Sequence, residues 1–167
     1  MKGIIVSDIH GDMTTLERIM GQALEHEWLR DSSGNLRVDA YFCLGDGVRE
    51  FARLEGFLRR KTPNAIMYDV KGNNDFGAEA PYSRVVHFGG ASIYMTHGQR
   101  ENVKLSLLSL DLAAQQAGCS IALYGHTHCP DDETRRTRMI NPGAANAGKL
   151  ALISVEDGAC EVKFLSY

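Results

Sequence analysis

Seven polar side chains stand directly after short apolar segments, and their chemical types are those that bind metal ions in proteins. They are Asp8, His10, Asp46, Asn73, His97, His126 and His128. A single ion takes about four to six ligands, so seven ligands suggest two ions that share one bridging group. Two adjacent divalent ions are a standard arrangement for hydrolysing phosphate esters.

Five apolar runs precede these side chains, and each run predicts a buried strand. The predicted strands cover residues 3–6, 41–44, 65–70, 93–95 and 121–124. In open α/β sheets the ligand site lies beyond the carboxyl ends of the strands. The seven side chains are therefore expected to converge at that end of the sheet.

The remaining periodicity predicts helices over residues 14–29, 48–60 and 103–117, the first opening on a capping box at 14–17. Further strands are expected over 85–88, 92–95, 134–140, 150–155 and 160–165, with tight turns at Gly89-Gly90 and Asp157-Gly158. About nine strands are more than one sheet comfortably holds. Residues 1–167 are expected to form a single α/β domain, a four-layer αββα sandwich with two packed mixed β-sheets.

The composition narrows the partners that the chain can have. Its net charge of −3 and the absence of any basic run argue against long nucleic acid, whereas a small anionic substrate could still bind a metal site. No segment approaches the roughly 18 apolar residues of a membrane span, and the early first strand leaves no room for a signal peptide. Four scattered cysteines without C-x-x-C spacing suit reduced thiols, which predicts a cytoplasmic protein.

Each cluster taken alone has a second interpretation. Asp8 and His10 could be a turn aspartate beside an exposed histidine, Asn73 could be a turn residue, and His97 could be a hydrogen-bonded core histidine. The pair His126 and His128 is the strongest single signal, because two imidazoles so close together after a strand are rarely packing residues. Only the combination of all five clusters predicts a metal centre.

The order D-x-H, G-D, G-N, H and G-H-x-H resembles the calcineurin-like metallophosphoesterase superfamily. The S-D-I-H-G opening at residues 7–11 is most similar to the small prokaryotic phosphodiesterase branch, and an Asn-Pro-Gly turn at 141–143 matches that branch as well. By position, the resemblance implies that Asp8, His10 and His128 hold one ion, that Asn73, His97 and His126 hold the other, and that Asp46 bridges both.

The resemblance implies a phosphoesterase that depends on two divalent metal ions, most simply a phosphodiesterase acting on a small phosphate ester through a metal-bridging hydroxide. Oxygen and imidazole ligands without thiolate suit manganese first, and also zinc, iron or nickel. Two positions depart from the pattern: Asn74 replaces a common histidine, and Arg49 replaces an aspartate of the larger branches. These departures argue against a protein phosphatase or a dinucleoside polyphosphatase.

Asn74 is also the candidate catalytic residue, because its amide could hydrogen-bond a phosphoryl oxygen. An amide cannot act as an acid near neutral pH, so substrates with good leaving groups are expected to be favoured. Arg49 and Arg100 could grip a phosphate oxygen, although solvated surface charge is the favoured interpretation. Asp75 could orient a ligand or cap a turn.

A non-catalytic scaffold is the main alternative, as in the retromer subunit that resembles this family but serves as an interaction module. A nuclease is a third hypothesis, which low basicity and short length disfavour. Exposed strand edges leave homo-oligomerisation open.

Overall fold

The computed structural model describes all residues from 1 to 167 and contains ten strands, four α-helices and two 3₁₀ helices. The strands are β1 (Lys2–Val6), β2 (Ala40–Cys43), β3 (Ile66–Asp69), β4 (Ser83–Phe88), β5 (Ala91–Thr96), β6 (Ile121–Leu123), β7 (Pro130–Thr134), β8 (Arg138–Pro142), β9 (Lys149–Glu156) and β10 (Ala159–Ser166). The α-helices are α1 (Met13–Glu25), α2 (Val48–Arg53), α3 (Glu55–Lys61) and α4 (Leu108–Gln116), and the 3₁₀ helices are Glu27–Leu29 and Ala145–Ala147.

The strands form two mixed sheets of five strands each. The first sheet has the order β10-β9-β1-β2-β3, in which β1, β2 and β3 are parallel and β9 and β10 are antiparallel to their neighbours. The second sheet has the order β4-β5-β6-β8-β7, in which β5, β6 and β8 are parallel and the two edge strands are antiparallel. Both sheets therefore present several parallel carboxyl ends.

Alternation along β1 shows how the layers are held together. Ile4 packs with Leu16 and Met20 of α1 in one apolar cluster, whereas Ile5 belongs to a cluster between the sheets that includes Ile93 and Leu123 of the second sheet. Successive strand side chains point to opposite faces, so a strand buried on both faces must be apolar throughout.

The outer face of the second sheet is covered by α4, where Leu110 and Ala114 pack with Ala122 and Met139. The four-layer sandwich of two mixed sheets is thus confirmed. None of the helices has both the length and the apolar composition needed to cross a lipid bilayer.

Two predicted helices differ in detail from those in the structure. The first ends at Glu25 and continues only as a 3₁₀ turn, and its N-cap is Asp12, which accepts a hydrogen bond from the Thr15 amide at 3.0 Å, so the capping box was wrong. The second predicted helix divides at Leu54 into α2 and α3.

Two further predictions fail in the second half of the chain. The third helix begins only at Leu108, after a series of turns. The strand predicted over 134–140 is interrupted: its last three residues lie in β8, but the Arg135 amide donates to the Thr137 carbonyl and turns the chain between β7 and β8. The edge strand β7 has the polar sequence PDDET, so hydrophobic periodicity could not reveal it.

Candidate metal centre

The loops that follow five strands bring polar side chains to one end of the sandwich. Asp8 and His10 follow β1, Asp46 follows β2, and Asn73 follows β3 in the first sheet. His97 follows β5, and His126 and His128 follow β6 in the second sheet. Because the strands within each of these sets run parallel, all five loops emerge at their carboxyl ends.

One group of three side chains is formed by Asp8, His10 and His128, which offer ligand atoms within 4.8 Å of one another. The Nε2 atoms of His10 and His128 are 3.3 Å apart. Oδ1 of Asp8 lies 3.1 Å from Nε2 of His128 and 3.8 Å from Nε2 of His10. One carboxylate oxygen and two imidazole nitrogens thus face a common point.

A second group is centred on His97, whose side chain is completely buried. Its Nε2 atom lies 3.4 Å from Oδ2 of Asp46, 3.1 Å from Nδ1 of His126 and 3.9 Å from Oδ1 of Asp8. Its Nδ1 atom lies 2.7 Å from the Leu44 carbonyl, which can only accept a hydrogen bond. That contact keeps a proton on Nδ1 and leaves Nε2 as the atom available to a metal.

The two groups share carboxylates. Asp8 belongs to both groups, and Oδ2 of Asp46 lies 3.9 Å from Nε2 of His10 as well as close to His97. Side chains from separate loops of both sheets therefore surround one pair of carboxylates.

The surroundings of Oδ1 of Asp8 show whether a metal ion would fit this site. The Asp8 side chain is fully buried, and this oxygen has no hydrogen-bond partner. A buried carboxylate oxygen without a partner is strongly unfavourable unless a cation compensates it. Oxygen and imidazole donors are also the ligands that divalent transition metals prefer, so the residues fit such an ion.

The backbone of the site is strained. Seven residues other than glycine have a positive φ angle, and five of them are predicted ligands: Asp8, His10, Asp46, His126 and His128. A left-handed backbone at such residues costs of order 1–3 kcal/mol each and persists where the surrounding structure enforces it, commonly at functional sites. The rest of the fold therefore compensates the cost of the left-handed backbone that orients these side chains.

Asp75 holds the loop that carries Asp46. Its Oδ2 atom accepts hydrogen bonds from the amides of Asp46 and Gly72 at 2.7 and 2.8 Å. Its Oδ1 atom accepts from the amides of Gly47 and Val48 at 2.9 and 3.1 Å. The sequence left open whether Asp75 orients a ligand or caps a turn. In the structure its carboxylate accepts four backbone amides, two of them at the start of α2 and one from Asp46, a predicted ligand.

Gly72 lies where no side chain fits. A Cβ atom at this position would lie 2.1 Å from Oδ1 of Asp46 and 2.6 Å from its amide nitrogen. Only glycine allows the loops after β2 and β3 to approach this closely. The G-N pair of the sequence thus has a steric reason.

Asn141 was missed as a positioning residue. Its buried Nδ2 donates to the Gly125 carbonyl at 2.9 Å and to Oγ1 of Thr127 at 3.0 Å, and its Oδ1 accepts from the Gly143 amide. These bonds fix the loop that carries His126 and His128. The Asn-Pro-Gly turn was the available signal, but a turn motif alone does not indicate what its side chain contacts.

The two asparagines after β3 are both exposed but differ in their contacts. The Asn73 side chain is exposed and makes no hydrogen bond to the other six candidates. Asn74 contacts Asp46 twice, through its amide to Oδ1 at 2.7 Å and through Nδ2 to Oδ2 at 2.6 Å. A contact between Asn74 and a substrate oxygen stays a prediction.

Electrostatics keep the carboxylate of Asp46 ionised. Burial raises its pKa, but hydrogen bonds from His97 and Asn74 outweigh burial and hold the pKa well below its usual range. Burial lowers the pKa of His97, whereas contacts with Asp46 and Asp8 raise it, and the net pKa is raised. Burial lowers the pKa of His126. The arrangement stabilises positive charge between the carboxylates.

A cavity of about 400 Å³ opens beside these side chains. It is lined by residues of helix α2 and of the loops after β1, β2 and β3, including His10, Asp46, Arg49, Glu50, Asn74 and Phe76. Arg49 donates through Nη2 to the Phe76 carbonyl at 2.9 Å, so its guanidinium is anchored at the rim of the cavity. The space is sufficient for a small ester next to the ligand groups.

Comparison with known proteins identifies relatives of the whole chain. The model of the calcineurin-like phosphoesterase superfamily domain matches residues 1–157. The chain is 29% identical over 171 residues to the protein named probable metallophosphoesterase YsnB of Bacillus subtilis (strain 168), a match that covers 98% of this chain and 90% of that protein.

Solved structures share the same architecture. A conserved uncharacterized protein of Streptococcus pneumoniae TIGR4, described as a predicted phosphoesterase, has a TM-score of 0.73 and 28% identity, covering 99% of this chain and 88% of its own. Wild-type Vps29 of Entamoeba histolytica in complex with zinc has a TM-score of 0.68 and 17% identity, covering 99% of both chains. The second likeness shows the fold alone.

Proposed function

The chain belongs to the calcineurin-like phosphoesterase superfamily, and from this premise we propose that it hydrolyses small phosphate esters, preferably diesters, with two divalent metal ions. Asp8, His10 and His128 would hold one ion, and Asn73, His97 and His126 the other, with Asp46 between them. The four free cysteines agree with a reducing compartment, so the cytoplasm is the proposed location.

One observation carries this proposal: Oδ1 of Asp8, buried and without a hydrogen-bond partner, lies among imidazole nitrogens of both ligand groups. When bound, two divalent ions supply the positive charge that activates water and polarises phosphoryl oxygens. We favour manganese, with zinc, iron and nickel also compatible with the donor set.

The protein's own side chains would bind and orient the ester. Arg49 lines the cavity beside the ligand groups, which places a cation where a phosphate oxygen could be held. Asn74 lines the same cavity, and its amide can donate to a phosphoryl oxygen once a ligand competes for Asp46. His10 is the only histidine that lines this cavity, and it is a proposed metal ligand, so no other imidazole is placed there to protonate a poor leaving group.

Metal removal and reconstitution test the proposal. The protein would be stripped with a chelator, dialysed against manganese, zinc, iron or nickel, and assayed with bis-p-nitrophenyl phosphate. We expect about two ions per chain and activity that depends on their presence. Stoichiometric metal with no turnover of mono- or diesters would contradict the enzymatic proposal.

A non-catalytic interaction module is the second candidate, because the fold shared with zinc-bound Vps29 does not by itself imply turnover. That structure contains zinc, so metal binding alone cannot separate the two candidates. Turnover can, because a scaffold of this fold could bind metal without hydrolysing an ester.

A further inference from the structure

Two cavities flank the segment that carries Asn73 and Asn74. The first is the cavity beside Arg49 described above. The second, which we call the Tyr82 cavity, has about 350 Å³ and is lined by Lys71, Gly72, Asn73, Asp75, Phe76, Gly77, Tyr82, Gln99 and Arg100. Phe76 lines both cavities, and the residue is 79% exposed.

The Tyr82 cavity is adjacent to the proposed metal centre. Asn73, a proposed ligand of the second ion, forms part of its wall, whereas His10 and Asp46 form part of the wall of the first cavity. A phosphate ester held at the centre could therefore extend one arm into each cavity.

Two cations in the Tyr82 cavity are not neutralised by any carboxylate. The Cζ atom of Arg100 lies 3.3 Å from the centre of the Tyr82 ring, and Nζ of Lys71 lies 4.3 Å from it. Neither cation takes part in a salt bridge, although six Arg–carboxylate pairs form elsewhere in the chain. Two like charges thus share one aromatic ring, which attracts each of them without cancelling their charge.

The only carboxylate in the wall of this cavity is already engaged. Both oxygens of Asp75 accept hydrogen bonds from backbone amides, four in total, and so face the loops of Asp46 and Gly72. The cavity therefore has two unpaired cations, a neutral amide donor from Gln99 and an aromatic edge, a combination suited to an oxyanion.

We propose that the Tyr82 cavity binds a second anionic group of the substrate, so that the preferred substrates are phosphate esters that carry a further phosphate or carboxylate on one arm. This inference rests on the proposed function for the location of the scissile phosphate. Arg100, whose Cζ atom lies over the Tyr82 ring, would donate hydrogen bonds to the anion, and Lys71 adds a second charge. The exposed face of Phe76 offers a surface on which a planar part of the substrate can stack.

A matched pair of substrates tests the inference on the full chain loaded with manganese. Thymidine 5′-(p-nitrophenyl phosphate) would be compared with the same ester bearing a 3′-phosphate, by release of p-nitrophenolate. We expect the KM of the 3′-phosphorylated ester to be at least about fivefold lower, with an advantage that shrinks as salt is added. Equal KM values for the two esters would overturn the inference.

Three variants within the cavity and one control outside it assign the effect to the cavity. Arg100→Gln and Lys71→Gln should each raise the KM of the 3′-phosphorylated ester toward that of the plain ester, while the constants of the plain ester stay within about twofold. Lys71→Arg, which keeps the charge, should retain the preference. Arg60→Gln on α3 removes a surface cation elsewhere and should change neither substrate. An equal loss for both esters in the cavity variants would contradict a role in reading the second anion.

A binding measurement separates this inference from the proposed activity. Isothermal titration calorimetry would compare thymidine 3′,5′-bisphosphate with thymidine 5′-phosphate on the same protein, and a carboxylate-bearing ester would show which anion is preferred. Tighter binding of the bisphosphate without any turnover would support the cavity and refute the hydrolase. Turnover without a preference that Arg100→Gln removes would support the hydrolase and refute the cavity.

Discussion

Replacing Asp75 by asparagine should weaken metal binding at the candidate centre, although Asp75 is not itself a proposed metal ligand. In the structure, each carboxylate oxygen of Asp75 accepts two backbone amides, those of Asp46 and Gly72 on one oxygen and those of Gly47 and Val48 on the other. Asparagine keeps the shape but replaces one oxygen by an NH₂ group. That group would face two amide donors and could accept from neither.

The magnitude follows from the bonds lost. A hydrogen bond to a charged group contributes about 1.5–3 kcal/mol, and Asp75→Asn loses two such bonds and the charge behind the other two. Half-buried surroundings allow water to recover part of this loss, so we expect the free energy of unfolding to fall by about 3 kcal/mol. Because the Asp46 amide is one of the four donors, the loop that aims this carboxylate should loosen as well.

Urea unfolding and metal titration together measure both effects. The Asp75→Asn variant should unfold at lower urea with an unchanged m-value, and its affinity for manganese should fall by about tenfold or more, a typical cost of removing a group that orients ligands. Asp31→Asn is the matched control. Asp31 also accepts two backbone amides, from Ser33 and Asn35, but in an exposed turn distant from the site. We expect it to cost less than about 1 kcal/mol and to leave metal binding unchanged.

An Asp75→Asn variant with wild-type stability and wild-type manganese affinity would refute this reasoning. So would an equal loss of metal binding in Asp31→Asn, because the effect would then be unrelated to the loop of Asp46.

Three further predictions concern the same loops. Asp46→Asn should lower the number of manganese ions bound per chain and reduce kcat for bis-p-nitrophenyl phosphate by about a hundredfold or more, since an amide lacks the negative charge proposed to bridge the ions. Unchanged activity would rule out the bridging role. Rates of hydrolysis should fall steeply from aryl to alkyl diesters, because Asn74 cannot donate a proton to the leaving group. In a series of leaving groups, Asn74→His should make this dependence weaker. Equal rates for aryl and alkyl diesters in the wild type would contradict the prediction. Gly72→Ala should abolish metal binding measured by titration, because the added Cβ would lie 2.1 Å from Oδ1 of Asp46. Gly21→Ala in α1 is the control, since the added Cβ meets no atom within 4 Å. It should raise the free energy of unfolding in urea by about 0.5–1 kcal/mol.

The sequence predicted the local structure correctly wherever burial of a strand or helix imposes a regular spacing of apolar residues. The run before Asp8 is apolar at every position because β1 is covered on one face by α1 and on the other by the second sheet. The Asp157-Gly158 turn was predicted from its residue types, and both residues have the positive φ that such a turn needs. Where burial is absent the pattern failed, as in β7, whose exposed edge carries no apolar alternation.

The buried apolar runs thus determined the α/β sandwich, and the residue types that follow them indicated the side chains that could hold metal ions. Both properties can be read from residue types and their spacing along the chain. Tertiary structure decided what no spacing contains. It placed the carboxylate of Asp75 among four amides, set Oδ1 of Asp8 between imidazoles of two sheets, and left Lys71 and Arg100 on one ring without a counter-charge. These relations depend on which loops meet in space, and a contact between distant segments is set by the packing of whole sheets rather than by any local pattern.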